Sequence, residues 1–273
     1  MIYERIKYPD SQISAKITDF SEAIIKERIN NYEDLFFIRS LADICNYSGY
    51  KVKLFISCLL GQRSDRRFSP TQSFDLKLIA EIINSCNFNN VEILDPHSDV
   101  ALALINNSEK VSSFQYVKSA LEDIVGEIGE IGRANKDDIV LVAPDAGAYK
   151  KVFEYGEKLN LPVVGAMKHR TGDGKISMVF AGGLLTGKHC LIVDDLCDGG
   201  ATFLALATKL REYGTEKVYL YITHGIFSKG FTELRKVIDH IYCTNSVKDL
   251  PLSITDENGH YTVSDYVTQY KVI

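Results

Sequence analysis

The sequence predicts an α/β fold of two tandem domains, each a mostly parallel sheet flanked by helices. Short apolar runs alternate with amphipathic ones along the chain, the pattern of strand-helix-strand units. The 273 residues, 45% hydrophobic and 25% charged, can bury two modest cores. Strand-like runs fall at 35–38, 52–57, 91–94, 139–142, 162–165, 190–193 and 218–222. Helical periodicity marks 74–83 and 116–131, and a further helix opens at Phe203. The polar stretch 106–113 is the expected junction, giving domains 1–112 and 113–273. The β-branched and aromatic tail, 261–273, is a candidate to return to the first domain.

The formal charge of −5 argues against a nucleic-acid or membrane-surface binder, which needs a basic face. No apolar run is long enough to span a bilayer, and residues 1–7 lack a secretory core, so a cytoplasmic protein is expected. The six cysteines are scattered, without Cys-x-x-Cys, and read as small hydrophobes. For Cys197, beside a glycine loop, both packing and a reactive thiol stand open.

The run from Cys190 to Phe203 is the most informative. An apolar strand meets Asp194 and Asp195, then Asp198-Gly199-Gly200-Ala201-Thr202 leads into a helix. Glycines let backbone N–H groups approach an anion, Thr202 adds a hydroxyl, and a helix N-terminus adds partial positive charge. The paired carboxylates accept hydrogen bonds from hydroxyls such as a ribose diol. A phosphorylated sugar suits this order of groups; an ordinary Asp-Gly-Gly turn is the competing reading.

Other polar clusters follow predicted strands. Gln62-Arg63-Ser64-Asp65-Arg66-Arg67 places three guanidiniums, which suit phosphate oxygens, beside a carboxylate, or forms a solvated loop. His97 in Asp95-Pro96-His97 is a metal ligand, a donor to phosphate, or structural. Asp145 in Pro144-Asp145-Ala146-Gly147 stands where ligands collect in parallel folds, as a magnesium-side carboxylate or as a helix N-cap. Lys168 and Arg170, two apart in an extended segment, would project to one side and neutralise a transferring phosphoryl group; the alternative is a basic turn. The segment 171–175 reads as a mobile closing loop. Thr223-His224-Gly225-Ile226-Phe227-Ser228 either lines the site or ends the sheet. Tyr8 offers a face for a base, or anchors the first strand, and Asp10 a polar edge.

The 190–203 run resembles the phosphoribosyl-diphosphate motif of the type I phosphoribosyltransferase fold. Together with 8–13, 62–67, 95–97, 143–147, 167–170 and 223–228, it resembles the ribose-phosphate diphosphokinases over most of the chain. That resemblance implies two phosphoribosyltransferase-like domains and Mg²⁺-dependent diphosphoryl transfer from ATP to ribose 5-phosphate, releasing AMP. It implies ATP contacts at Arg63, Ser64, Asp65 and His97, with Tyr8 and Asp10 reaching a neighbouring subunit's ATP site in a homo-oligomer. It further implies magnesium at His97, catalysis by Lys168 and Arg170, and ribose-phosphate binding by Asp194, Asp195, Asp198, Gly199, Gly200, Ala201 and Thr202.

The chain departs from the family in several places. Gln12 replaces Glu, Ser64 replaces Gln, and the first domain is expected to be trimmed. The family's Asp-Thr-Gly-Gly-Thr loop here loses a hydroxyl, which opens space for a 5-substituted ribose such as ADP-ribose. A phosphoribosyltransferase has no need of the arginine loop or of Asp95-Pro96-His97, and retention of Lys168 and Arg170 speaks against a non-catalytic regulatory homologue.

Overall fold

The structure, a computed structural model, describes residues 1–130, 136–170, 176–181, 185–251, 253–255, 261–263 and 266–273. The chain divides into two compact units, Met1–Ser112 with Val272–Ile273, and Ser113–Lys271. No helix among the described residues is long and apolar enough to cross a membrane.

The first unit opens with an antiparallel hairpin, β1 (Ile2–Lys7) and β2 (Ile13–Asp19). Its turn is the Tyr8–Gln12 segment, closed by Tyr8 N–H donating to the Gln12 carbonyl at 2.8 Å, with Ser11 at φ 70°. There follow β3 (Ile24–Arg28), α1 (Tyr32–Tyr47), β4 (Lys53–Cys58), α2 (Asp75–Asn84), β5 (Asn90–Leu94), α3 (Val100–Leu104) and β6 (Ser108–Val111). The sheet runs β3-β4-β5-β6, parallel throughout. Leu76, Ile79, Ala80 and Ile83 repeat at helical spacing and bury one face of α2.

One expectation is corrected here. The run 35–38 lies inside α1, not in a strand. Asn31 caps that helix by accepting from Asp34 N–H at 2.9 Å, Glu33 and Asp34 suit the positive N-terminus, and Phe36 in mid-run is exposed. Leu35, Ile38, Leu41, Ala42 and Cys45 supply the buried stripe. The polar stretch 106–113 contains the division between the units at Ser112/Ser113, and its middle forms β6, exposed at Glu109 and Lys110 and paired with β5 at the sheet's edge.

The second unit contains α4 (Phe114–Glu130), β7 (Ile139–Ala143), α5 (Ala146–Leu159), β8 (Val163–Arg170), β9 (Ile176–Ala181), β10 (His189–Cys197), α6 (Ala201–Glu212), β11 (Lys217–Gly225), β12 (His240–Thr244), β13 (Ser253–Thr255), β14 (Tyr261–Val263) and β15 (Val267–Tyr270). Its main sheet has the order β15-β12-β11-β10-β7-β8-β9, with β9 antiparallel to β8 and the other pairs parallel. β13 and β14 pair separately as an antiparallel ribbon. In β10, Cys190 and Ile192 join the apolar cluster of Leu206 and Leu210, while Leu191 and Val193 join that of Val152 and Tyr155. This burial on both faces explains the unbroken apolar run.

From β7 the chain steps outward through β8 to β9, then returns to β7's other side and proceeds through β10, β11, β12 and β15. The reversal makes β7/β10 the topological switch point, where parallel sheets open a crevice beyond the strand ends. Pairing of β10 with β7 stops at Ile192, whereas pairing with β11 continues to Cys197. Asp194 and Asp195 are therefore inside β10 rather than at its end as the sequence suggested, and they lie past the last β10 residue laddered with β7.

Candidate functional site

Around that crevice the structure gathers four predicted segments. Asp145 begins α5 directly after β7, and its Oδ1 accepts Ala148 N–H at 2.9 Å with extended backbone, the geometry of an N-cap. Asp194 and Asp195 stand one strand away on β10. The Asp195 N–H donates to Asp194 Oδ1 at 2.9 Å, which holds the first carboxylate back along its own strand. Burial, and after it the charge of Asp195, push the Asp194 carboxyl well above the ordinary carboxylate range, with Lys151 of α5 acting in the opposite direction. Without a cation or a donor from a ligand, this pair tends to retain a proton.

The glycine loop follows. Gly200 is the residue before α6 and adopts φ 78°, the left-handed region, with Leu234 3.1 Å from where a Cβ would stand. Gly200→Ala is expected to destabilise the fold by about 1–2 kcal/mol, from the left-handed backbone and the displaced Leu234, read as a fall in thermal midpoint. Asp198 is exposed and accepts Ser228 Oγ–H at 2.6 Å; Ala201 and Thr202 are exposed on the first turn of α6. Cys197 is buried, and desolvation, reinforced by Asp194 and Asp198, pushes its thiol up to about 12. It is a packing residue, and the reactive reading is set aside.

The Thr223–Ser228 segment ends β11 and then turns toward the glycine loop. Thr223 and His224 are buried. His224 Nδ1 lies 3.0 Å from Ser246 Oγ, while the Ser246 and Thr244 hydroxyls donate to the Thr223 carbonyl. Beyond them the chain turns back onto the glycine loop: Ile226 and Phe227 N–H donate to the Cys197 carbonyl, and Ser228 N–H to that of Asp198.

Lys168 and Arg170 occupy alternate positions of β8, opposite Met178 and Ile176 of β9. Pairing of β8 with β7 ends at Gly165, so both belong to a two-stranded extension continued by β8 and β9 alone. The expected closing loop, 171–175, lies outside the described residues.

In the first unit, the loop after β4 and the loop after β5 are joined by a residue to which sequence reasoning gave no role. Gln62 is buried, and its Oε1 accepts His97 N–H at 3.1 Å. Arg63 is exposed, Ser64 and Asp65 are half-buried, and His97 is exposed. Arg67 instead donates to the Gln72 carbonyl of its own loop. Asp95 is fully buried with φ 39° and pairs with Lys110 at 3.8 Å. Tyr8 and Asp10 sit in the hairpin turn, where Tyr8 is 45% exposed and Asp10 Oδ1 accepts Gln12 N–H.

Among the described residues no three His, Cys, Asp or Glu side chains converge as a metal cluster. One capping carboxylate in the second unit and one exposed imidazole in the first are the donors the sequence singled out. A single carboxylate such as Asp145 fits Mg²⁺, which keeps waters and substrate oxygens in most of its positions. Lys151 and Lys229 were missed by sequence reasoning. The only signals were a lysine one turn into α5 and another directly after Ser228.

Residues 167–253 match the family model described as phosphoribosyl synthetase-associated domain. The chain is 26% identical over 244 residues to the ribose-phosphate pyrophosphokinase of Mycoplasma pneumoniae, covering 86% of this chain and 67% of the relative. It is likewise 26% identical over 247 residues to the ribose-phosphate pyrophosphokinase of Pyrococcus furiosus, covering 88% and 84%. Against ribose-phosphate pyrophosphokinase 2 of Saccharomyces cerevisiae it is 27% identical, and the match spans 60% of that protein's length. The structure of phosphoribosylpyrophosphate synthetase from Mycobacterium smegmatis superposes with a TM-score of 0.75 at 18% identity, over 99% of this chain and 86% of the other, which shows a common fold.

Proposed function

We propose that this chain, which is similar to ribose-phosphate pyrophosphokinases over most of its length, is a member of the ribose-phosphate diphosphokinase family and transfers the diphosphoryl group of ATP to the anomeric hydroxyl of ribose 5-phosphate. The observation that carries this reading is the position of Asp194–Asp195 beyond the β7 ladder at the β7/β10 switch point, running directly into a glycine loop and a helix N-terminus. The carboxylates accept from the ribose hydroxyls. The backbone of Asp198 to Thr202 holds the 5-phosphate, and Arg63, Ser64, Asp65 and His97 hold ATP, with Tyr8 and Asp10 serving a neighbouring subunit of a homo-oligomer.

The anomeric oxygen attacks the β-phosphorus, forming the new P–O bond. The bond from that phosphorus to the α,β-bridging oxygen breaks, AMP leaves with the bridging oxygen, and the hydroxyl proton passes to solvent. Lys168 and Arg170 neutralise charge on the transferring group, so positioning and electrostatics carry the catalysis without a dedicated base. His97 and Asp145 are the residues assigned to Mg²⁺, which when bound neutralises phosphate charge.

A second acceptor, a 5-substituted ribose such as ADP-ribose, is favoured by one observation: Ala201 and Thr202, beside the loop, are exposed. Phosphorus NMR of the protein with ATP, Mg²⁺ and either acceptor tests both readings. AMP with a new anomeric diphosphate is the expected result, and the acceptor that yields it fixes specificity. Absence of AMP with both acceptors refutes the proposal.

A further inference from the structure

We propose that Lys229 is a specificity-determining residue that holds the phosphate on the 5-carbon of the acceptor. The inference rests on the reading of Asp198 to Thr202 as the phosphate loop. Electrostatics supply the need for it. Asp194, Asp195 and Asp198 place three carboxylates within five residues of an anion site, against which the α6 N-terminus offers only about half an elementary charge. A dianionic phosphate entering between them requires a further cation.

Lys229 is placed to be that cation. Its Cδ and Cε each lie 3.4 Å from where a Cβ on Gly199 would stand, so its stem crosses the loop at a residue without a side chain. Its ammonium is one bond further on. Lys229 is exposed, and among the described residues no carboxylate forms an ion pair with it. Lys151 acts on Asp194 instead.

The backbone that carries Lys229 is fixed to the loop it serves. Ile226 N–H donates to the Cys197 carbonyl at 2.9 Å, Ser228 N–H to the Asp198 carbonyl at 3.2 Å, and Ser228 Oγ–H to Asp198 Oδ1 at 2.6 Å. From the other side Lys248 Nζ donates to the Ile226 carbonyl at 2.6 Å. Phe227, at φ 46°, is buried against Phe231 with ring centroids 4.7 Å apart. A lysine on so constrained a segment loses little freedom when it meets an anion, which favours binding. Ser228 thereby becomes a positioning residue that ties the Lys229 segment to Asp198.

The test measures ribose 5-phosphate binding by titration calorimetry with Mg²⁺ and α,β-methylene-ATP, which cannot transfer its diphosphoryl group, and separately measures kcat and KM with ATP. Lys229→Gln is expected to raise Kd and KM for ribose 5-phosphate about tenfold with kcat changed less than about threefold. Lys229→Arg is expected to restore most of the affinity, and Lys236→Gln, which removes a lysine paired with Glu233, to leave both constants unchanged. Unaltered Kd in Lys229→Gln overturns the proposal. Binding by the wild type without turnover refutes the proposed reaction alone, since the Kd comparison still decides Lys229. No binding by the wild type removes the phosphate-loop premise and Lys229 with it.

Discussion

Lys168→Ala is expected to lower kcat for diphosphoryl transfer by about 10²–10³-fold while leaving the Kd for ATP within about threefold. The asymmetry follows from when the charge appears. Phosphoryl transfer spreads negative charge over the equatorial oxygens and the departing oxygen in the transition state, and a cation aimed there acts more strongly on that state than on bound ATP. The backbone gives Lys168 a position suited to this work. It lies beyond Gly165, the last β8 residue paired with β7, in an extension carried by β8 and β9, and Arg170 follows two residues later. The sheet's C-terminal edge, where β7 delivers Asp145, is adjacent in strand order. Arg170→Ala should act in the same direction. The double variant should lose less than the product of the two effects, because both cations serve the same charge. Steady-state kinetics with calorimetric ATP binding decide the matter, and an intact kcat in Lys168→Ala refutes the catalytic assignment.

How much of this was legible beforehand depended on whether the information was local. β4, β7 and β11 announce themselves because a parallel strand buried on both faces must be apolar at successive positions, and β10 does so up to Val193, while β5 is marked by Val91, Ile93 and Leu94 around the half-buried Glu92. Gly199-Gly200 was readable for the same reason, since Gly200's left-handed backbone leaves few other residues admissible. The 35–38 run failed because four apolar residues are too few to separate periods of two and 3.6. The cap at Asn31 and the stripe extending to Cys45 decide for helix. β10 was cut short because carboxylates look like a strand's end, whereas the ladder with β11 carries them to Cys197. Gln62, Lys151 and Lys229 were invisible for a different reason. Each meets its partner across a loop or from a helix brought alongside by the topology, and no local spacing encodes such a meeting.

Asp194→Asn should move stability and ligand binding in opposite directions. In the folded chain, burial and the neighbouring Asp195 raise the Asp194 pKa above its unfolded value. Between those two values the folded state holds more protons than the unfolded one, so stability contributed by this group falls as pH rises through that window and stays low above it. An amide has no charge to desolvate, and its Oδ1 still accepts the Asp195 N–H. The free variant is therefore expected to be more stable than the wild type by on the order of 1–3 kcal/mol at mildly alkaline pH, with the gap closing as pH drops below the ordinary carboxylate range. Ligand reverses the sign. A ribose hydroxyl donating to a carboxylate is worth about 1.5–3 kcal/mol, so the variant should bind ribose 5-phosphate about 10–100-fold more weakly and lose most of the ligand-induced rise in thermal midpoint. The wild type should also release protons on binding as the carboxylate becomes fully ionised, seen as a binding enthalpy that varies with the buffer's ionisation enthalpy, and the variant should release fewer. Equal stability of the two proteins at alkaline pH, or equal affinity for ribose 5-phosphate, is incompatible with a strained carboxylate pair held ready for the sugar.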